Sequence, residues 1–203
     1  MIDTLIFDFG DVFINLDKKG AMQNALNLFN MSNFDEDMLE INIAFEIGTI
    51  STEHFISFYL GKFPNLSKNQ VIDAWNYIIK DFPKHRLDFI QQLQQQGDYQ
   101  LVLLSNTNTL HIDYIRAEVP FFNTFKSCFD AFYLSHEIHL RKPNEDIFEF
   151  VLNAHKKAPE HCFFIDDTQE NTQTASRMGI HTWNIDETHE DVVDLFSINA
   201  HLF

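Results

Sequence analysis

Residues 4–9 read Thr-Leu-Ile-Phe-Asp-Phe, and this stretch decides how the rest of the chain is interpreted. A short, nearly continuous apolar run is typical of a parallel strand buried on both faces, and this one carries Asp8 near its carboxyl end. Four further runs of strand length follow, at residues 99–105, 130–135, 161–166 and 181–185. Helical patterns separate most of them, such as the apolar stripe that ends at Gly97. This alternation predicts an α/β fold with a doubly wound, Rossmann-like parallel sheet.

The segment from residue 16 to residue 85 interrupts the alternation. It contains no good strand pattern, but helical patterns recur around residues 22–29, 38–45, 53–60 and 70–79. A connection of this length without structure of its own is uncommon in a compact domain. We therefore predict a core formed by residues 1–15 and 86–203, and a helical bundle of residues 16–85 inserted after the first strand.

The composition excludes several classes of partner. The chain of 203 residues has 30 acidic and 14 basic side chains and a formal net charge of −16, which repels nucleic acids and anionic membrane surfaces. No signal-peptide pattern is visible and no run approaches the roughly 18 apolar residues of a membrane span, so we expect a cytoplasmic protein. Two cysteines do not make a disulfide framework. Whether the protein is a monomer or a homodimer stays open.

Polar residues stand at the ends of several predicted strands. Asp8, Ser105 and Asp166 each close such a run, and Lys142 follows another in the loop Arg141-Lys-Pro143. Ligands of an open parallel sheet bind beyond the carboxyl ends of its strands, where these four segments would converge. A lone aspartate at a strand end is more often a turn or capping residue, but that explanation does not account for four suitable residues at once.

The charges of these residues favour phosphate chemistry. A carboxylate that attacks a phosphate ester meets a repulsion of about 4 kcal/mol per charge pair at 4 Å, which cations must offset. Asp166, with Asp167 nearby and the carbonyl of Gly10 as a further ligand, offers oxygens suited to Mg²⁺. Lys142 supplies a second positive charge between the nucleophile and the phosphoryl oxygens.

The remaining phosphoryl oxygens need neutral donors. The Ser105 hydroxyl and the backbone N–H groups around Asn106 are placed to supply them. The predicted reaction is a two-step displacement on a small phosphorylated metabolite, in which Asp8 carries the phosphoryl group between the two steps.

Four motifs follow one another along the chain, around Asp8, Ser105, Lys142 and Asp166. Their sequence and their order resemble those of the haloacid dehalogenase superfamily, and the resemblance spans nearly the whole chain. The helical insertion looks like the C1 cap of subfamily IA. The match is closest to a bacterial branch that includes the α-D-glucose-1-phosphate phosphatase. The matching segments are Ser105-Asn-Thr-Asn108 with His111, Tyr133-Leu-Ser135, Arg141-Lys-Pro143, and Phe164-Ile-Asp-Asp167 with Asn171.

The resemblance implies a role for each matching residue. Asp8 would be the nucleophile and a metal ligand, and Asp166 would hold Mg²⁺. Ser105 and Asn106 would bind phosphate, with Lys142 as the clamp. Two further residues, Asp167 and Asn171, would be outer-shell or assisting ligands.

The sequence departs from the family at one position. Phosphatases of this superfamily usually carry an aspartate two residues after the nucleophile as general acid and base, and here that residue is Gly10. General acid–base catalysis typically raises the reaction rate 10²–10⁴-fold, which corresponds to about 3–5 kcal/mol of activation free energy. Asp11 is either a substitute base or an ordinary loop carboxylate. A good leaving group, such as the anomeric oxygen of a sugar 1-phosphate, needs less protonation.

Two other functions fit part of the pattern. A 2-haloacid dehalogenase shares the nucleophile and also lacks the second aspartate, but needs no metal, which the pair Asp166-Asp167 argues against. A phosphate-binding or metabolite-binding protein that has lost its chemistry with Gly10 would bind without turnover. Within the insertion, Glu46-Ile-Gly48 is either an element facing the site or a helix end stopped by glycine, and Trp75 is either core or pocket wall.

Overall fold

The computed structural model describes residues 1–203, and its centre is a five-stranded parallel sheet in the order β3-β2-β1-β4-β5. The strands are β1 (Thr4–Phe7), β2 (Gln100–Ser105), β3 (Ala131–Leu134), β4 (Cys162–Asp166) and β5 (His181–Asn184). The predicted doubly wound fold is therefore confirmed. Strand β1 ends before Asp8, two residues earlier than expected, because the chain turns away through Asp11, whose φ of 54° lies in the left-handed region.

Eleven helices surround the sheet. They are α1 (Lys18–Phe29), α2 (Glu36–Ile47), α3 (Thr52–Lys62), α4 (Lys68–Asn76), α5 (Lys84–Gln96), α6 (Thr109–Glu118), α7 (Phe122–Lys126), α8 (Ser135–Ile138), α9 (Glu145–His155), α10 (Gln169–Arg177) and α11 (Leu195–Ile198). Side-chain caps begin many of them; Ser67, for example, forms a capping box with Gln70 at the start of α4. Helix α5 ends at Gly97, which adopts φ 72° as the sequence predicts.

Both faces of the sheet are buried. Along β1, Leu5 and Phe7 belong to one hydrophobic cluster and Ile6 to the cluster on the other side. Alternating side chains of a strand point to opposite faces, so helices must cover the sheet on both sides. Burying each such side chain stabilises the fold by roughly 1.5–3 kcal/mol. Much of the phenylalanine lies here, with tilted and edge-on ring contacts such as Phe13 on Phe125 at 4.9 Å.

Helices α1–α4 lie within the segment predicted to be a helical insertion, and they have a hydrophobic cluster of their own. Its fully buried members include Met38, Phe45 and Phe55, with the Phe45 and Phe55 rings stacked at 4.2 Å. A separate cluster agrees with a bundle that packs independently of the sheet. The division of the chain at residues 16 and 85 stays a prediction.

Two chain segments join the insertion to the rest of the molecule, and they pair with each other. Residues 15–17 run antiparallel to residues 78–81, with backbone hydrogen bonds of 2.8–2.9 Å and a bridge between Leu16 and Ile79. We call these two segments the connecting ribbon. The buried Arg86 braces it, since its Nη1 donates to Asn15 Oδ1 at 2.9 Å. The ribbon places Leu16 and the first turn of α1 beside the end of β1.

Candidate active site

The predicted site residues meet at the carboxyl edge of the sheet. Strand β1 lies between β2 and β4, so Asp8, which directly follows β1, lies between Ser105 and Asp166, the last residues of β2 and β4. Lys142 reaches them from the loop between α8 and α9. The sheet topology thus brings together segments that are more than a hundred residues apart in sequence.

Lys142 links two of these carboxylates. Its Nζ lies 2.8 Å from Asp8 Oδ1 and 2.6 Å from Asp166 Oδ2, and it also donates to Leu104 O at 2.7 Å. The side chain is 1% exposed, so all three ammonium protons are used inside the protein. Although burial disfavours its charge, the two carboxylates raise the pKa of Lys142.

Asp8 lies among charges of both signs. Burial raises its pKa to about 7; the Lys142 ammonium opposes that shift, and the carboxylates of Asp166 and Asp167 add to it. A cation beside Asp8 would therefore favour its ionised, nucleophilic form.

Asp166 is held from several directions. Its side chain is fully buried, and its Oδ1 accepts hydrogen bonds from Thr168 N at 2.8 Å and from Asn171 Nδ2 at 2.9 Å. Asn171 uses its amide N–H group to orient Asp166, which is compatible with the assisting position predicted for it. These contacts fix the carboxylate before any ligand arrives.

The oxygens at this edge suit a hard divalent cation. Carboxylate oxygens of Asp8, Asp166 and Asp167 all lie within 4.8 Å of one another. The carbonyl oxygen of Gly10 accepts no hydrogen bond from the chain and remains available as a ligand. Such a donor set fits Mg²⁺, which prefers oxygen ligands.

Asn106 has a role that the sequence did not reveal. Its side chain makes a reciprocal pair with the backbone of Lys142: Nδ2 donates to the Lys142 carbonyl at 2.8 Å, and Oδ1 accepts from the Lys142 N–H at 2.9 Å. The side chain therefore positions the lysine loop. The backbone N–H of Asn106 donates to no group of the chain, so this N–H is the part of the residue that is free to meet a phosphate.

Lys18, at the start of α1, is a second lysine at the site and was missed by sequence reasoning. Its Nζ lies 2.9 Å from Asp11 Oδ2 and also contacts Asp167 Oδ2, and its side chain is 50% exposed. Burial works against its charge, but the hydrogen bonds to Asp167 and Asp11 raise the pKa of Lys18. The local sequence gives no signal for this, because Lys18 is followed by another lysine and looks like a solvated helix start.

Asp11 is occupied by structural contacts. Its Oδ1 accepts from the backbone N–H of Leu16 at 2.8 Å, and its Oδ2 faces Lys18. Of the two interpretations, the structure favours a loop carboxylate over a substitute base.

Leu16 fills the space next to Gly10. A Cβ built on Gly10 would lie 2.6 Å from Leu16 Cδ1, well inside contact distance. The place where related phosphatases carry their general acid is thus taken by an apolar side chain from the connecting ribbon.

A cavity of about 390 Å³ opens between the insertion and the strand ends. It reaches the immediate neighbours of Asp8 in sequence and in the sheet, namely Phe9, Gly10, Ser105 and Asn106. Most of its wall is apolar. The polar side chains elsewhere on the wall are Lys18, Asn42, Glu46, Tyr59, Thr107, Asn108 and His111.

Trp75 and His111 form one wall of this cavity. Their rings stack at 5.7 Å, and Trp75 also packs on Phe55, so the tryptophan is both core and pocket wall. His111 uses both ring nitrogens, with Nδ1 3.1 Å from Asn108 Nδ2 and Nε2 3.1 Å from Trp75 O. Burial lowers the pKa of His111 to about 4, so the ring is neutral near pH 7.

The Glu46-Ile-Gly48 segment combines both interpretations of its sequence. Gly48 ends α2 with φ 75°, and a side chain there would collide with the backbone of His136, since an added Cβ lies 2.1 Å from its carbonyl oxygen. Glu46 lines the cavity and accepts a hydrogen bond from Arg141 Nε at 2.8 Å. His139 contacts Ile47 O at 3.0 Å. These contacts attach the insertion to the loop that carries Lys142.

The parallel-sheet fold and the grouped carboxylates at this edge fit a hydrolase, and comparison with known proteins gives the same class. The family described as haloacid dehalogenase-like hydrolase matches residues 2–179, so the chain belongs to that family, as its motifs predict. A curated relative, the D-ribitol-5-phosphate phosphatase of Bacteroides thetaiotaomicron, is 26% identical over an alignment that covers 90% of this chain and 91% of the relative.

Solved structures give the same family. A haloacid dehalogenase family enzyme from Bacteroides thetaiotaomicron, in complex with magnesium, has a TM-score of 0.85 and 31% identity, covering 96% of this chain and 98% of that one. The wild-type form with magnesium and inorganic phosphate has a TM-score of 0.83 and 30% identity, covering 97% of this chain and 100% of that one. A predicted hydrolase of the family from Porphyromonas gingivalis has a TM-score of 0.82 and 31% identity over 100% of this chain and 98% of its own.

These comparisons bear on some of the predictions made from sequence. The family is confirmed, and the magnesium complexes of the relatives agree with the predicted cofactor. The closeness to the glucose-1-phosphate phosphatase branch and to subfamily IA stays a prediction. None of the helices combines the length and the apolar character needed to cross a bilayer.

Proposed function

We propose that this chain is a Mg²⁺-dependent phosphatase that hydrolyses the phosphate monoester of a small sugar or polyol, such as a hexose 1-phosphate, through an aspartyl-phosphate on Asp8. One observation carries the proposal. The Asp8 carboxylate lies 2.8 Å from the buried ammonium of Lys142, next to two further carboxylates, and its neighbours Gly10 and Ser105 line the cavity. A nucleophile, a fixed cation and a set of metal-binding oxygens are the parts that phosphoryl transfer requires.

Each residue has a definite task in the proposed reaction. Asp8 attacks phosphorus, and Lys142 holds its carboxylate in place. The Ser105 hydroxyl and the free N–H of Asn106 bind phosphoryl oxygens on the opposite side of Asp8 from Asp166 in the sheet. Asp8, Asp166 and the Gly10 carbonyl would hold Mg²⁺, whose positive charge would offset the repulsion between nucleophile and substrate.

Asp167 and Asn171 would assist these direct ligands of Mg²⁺ from the next layer of residues. Asn171 orients Asp166, and Asp167 is paired with Lys18. Residues 16–85 would serve as a cap that closes over the substrate, since their helices supply one side of the cavity.

The cavity supports a small hydroxylated substrate. A volume of about 390 Å³ lies at the lower end of the range for small-molecule sites. Asn42, Glu46 and Tyr59 lie on the wall supplied by the insertion, where they can bond to hydroxyl groups. The name of the Bacteroides relative, D-ribitol-5-phosphate phosphatase, supports polyol phosphates as candidates beside sugar phosphates.

A panel assay tests the proposal. Purified protein is incubated with sugar 1-phosphates, sugar 5- and 6-phosphates, ribitol 5-phosphate and p-nitrophenyl phosphate, with Mg²⁺ and with EDTA, and released phosphate is measured. We expect turnover of at least one ester with Mg²⁺, loss of turnover in EDTA, and none in Asp8→Asn. Turnover unaffected by Asp8→Asn would contradict the assignment of the nucleophile.

The same assay separates the two alternatives. A 2-haloacid dehalogenase would release halide from 2-haloacids in EDTA. The grouped carboxylates of Asp8, Asp166 and Asp167 favour a metal-dependent enzyme instead. A binding protein would retain phosphate esters without hydrolysing any of them, with or without Mg²⁺.

A further inference from the structure

Gly10 and Leu16 leave the position two residues after Asp8 without a carboxylic acid for the leaving group. Leu16 occupies the space beside Gly10, and neither residue can donate a proton. An alcohol leaving group acquires negative charge as its bond to phosphorus breaks. Some other donor must therefore stabilise that oxygen if esters of ordinary alcohols are substrates.

Several other polar groups near the site are already engaged, and the unpartnered Trp75 Nε1 on the cavity wall is a neutral donor. Both oxygens of Asp11 have partners, and both ring nitrogens of His111 do as well. The Tyr59 hydroxyl donates to Asn42 Oδ1 at 2.6 Å. Lys142 is 1% exposed and gives its three protons to Leu104 O, Asp8 and Asp166.

Lys18 differs from all of these. It is the one lysine or arginine among the residues that line the cavity. Asp11 and Asp167 hold its ammonium from two sides, which leaves one N–H without an acceptor in the chain, and the side chain is half exposed. A carboxylate oxygen of Asp167 lies within 4.8 Å of one of Asp8, so the ammonium that contacts Asp167 lies in the neighbourhood of the proposed nucleophile.

We propose that Lys18 is a catalytic residue whose free N–H donates a hydrogen bond to the leaving-group oxygen, in place of the acid that Gly10 lacks. This inference rests on the proposed phosphatase function. In the first step Asp8 Oδ bonds to phosphorus, and the bond from phosphorus to the ester oxygen breaks with its electron pair on that oxygen. The oxygen takes its proton from water as the alcohol departs. Lys18 keeps its three protons and stabilises the developing charge.

The proposal predicts a dependence on the leaving group. A phenolate with electron-withdrawing groups carries its charge well and gains little from Lys18, whereas an alkoxide gains most. Removal of one preorganised donor from such a site typically costs about 10²–10³-fold. We therefore expect Lys18→Gln to lower kcat/KM for the alkyl phosphate substrate by about 10²-fold and for p-nitrophenyl phosphate by less than about 3-fold.

The experiment measures kcat/KM at saturating Mg²⁺ for a series of aryl phosphates and for the best alkyl phosphate of the panel. The ratio kcat/KM reports the steps up to departure of the alcohol, before the aspartyl-phosphate is hydrolysed. Lys18→Gln should steepen the dependence of log(kcat/KM) on leaving-group pKa, and Lys18→Arg, which keeps the charge and the donors, should restore it in part. Lys19→Gln is the matched control, because Lys19 is exposed, makes no ion pair and belongs to the same helix turn.

Several results would overturn the proposal. A structural role for Lys18, in which it only ties α1 to Asp11 and Asp167, predicts an equal loss across the series and a lower melting temperature of Lys18→Gln. Equal loss, no loss, or failure of Lys18→Arg to differ from Lys18→Gln would each exclude the catalytic role. If the wild-type protein hydrolyses no ester, the proposed function falls and this inference falls with it. If the wild type is active but Lys18→Gln leaves the dependence of log(kcat/KM) on leaving-group pKa unchanged, this inference alone falls.

Discussion

Replacing Lys142 with methionine removes the ammonium between Asp8 and Asp166 while keeping a side chain of similar length. The two ion pairs that this substitution breaks are 2.8 and 2.6 Å long, each worth about 6 kcal/mol of gross attraction at an effective dielectric constant near 20. The desolvation of three buried charges offsets most of that. Leaving the buried carboxylates without their partner should therefore lower the free energy of unfolding by about 3–5 kcal/mol.

For a chain of 203 residues, 1 kcal/mol corresponds to roughly 2–4 °C, so Lys142→Met should melt about 6–20 °C below the wild type. The assay is thermal unfolding without divalent cations, followed by phosphate release with Mg²⁺. We expect kcat/KM to fall by about 10²–10³-fold. Because Lys142 lowers the pKa of Asp8, its removal should also move the acidic limb of the pH–rate profile to higher pH.

A surface lysine provides the matched control. Lys157 Nζ also lies 2.8 Å from a carboxylate oxygen, that of Asp3, but the two side chains are 23% and 45% exposed to solvent. Lys157→Met should cost less than about 1 kcal/mol. In Lys142→Met/Asp166→Asn, one uncompensated charge is gone, so much of the stability should return while activity stays low. Equal melting temperatures of Lys142→Met and Lys157→Met would refute the electrostatic reasoning.

Three further predictions concern the cavity and the metal site. The double variant Gly10→Asp/Leu16→Ala should hydrolyse alkyl phosphates about tenfold faster than Leu16→Ala alone. It should also be faster than Gly10→Asp alone, because in that variant the new side chain meets Leu16 Cδ1. Equal rates would argue against a missing acid. Burial lowers the pKa of His111 from 6.5 to about 4. The stabilisation from keeping this ring neutral in the folded protein is therefore complete above pH 6.5, and up to about 3 kcal/mol of the free energy of unfolding is lost as the pH falls toward 4. Urea unfolding at pH 7 and pH 4.5 should show that the free energy of unfolding of His111→Gln depends less on pH than that of the wild type. An equal pH dependence in the two proteins would contradict this role of His111. Mg²⁺ at about 100 times its Kd should stabilise the wild type by about 2.7 kcal/mol and Asp166→Asn far less, as measured by melting temperature; equal shifts would place the metal elsewhere.

The central sheet and its chemical edge could be predicted because they follow from local patterns and one topological rule. The run at residues 4–9 has the length and apolar character of a doubly buried strand, and Gly97 has the conformational freedom that a helix end needs. Once the strands are parallel, their carboxyl ends share one edge. The proximity of Asp8, Asp166 and Lys142 then follows without knowledge of the detailed packing.

The contacts that could not be predicted depend on tertiary packing. The pairing of residues 15–17 with 78–81 places Leu16 over Gly10 and brings Lys18 to Asp11, and no local pattern encodes a register between such distant segments. The side chain of Asn106 likewise looks like a phosphate ligand by position. Its actual partners lie on the backbone of Lys142, a contact visible only after the two loops are folded against each other.

The position of the helical insertion and the chemistry of the site depend on the same few residues. Leu16 belongs to the connecting ribbon, and Lys18 begins α1 two residues later. A rotation of the insertion about the ribbon would move Lys18 away from Asp11 and Asp167 and draw Leu16 off Gly10, whereas Asp8, Asp166 and Lys142 belong to the sheet and its loops and would stay together. The proposed nucleophile and its clamp are therefore held by the sheet and its loops, while the placement of the group proposed to stabilise the leaving oxygen depends on the position of the insertion. Weakening the docking contact between Glu46 and Arg141 should consequently reduce turnover of alkyl phosphates more than turnover of p-nitrophenyl phosphate.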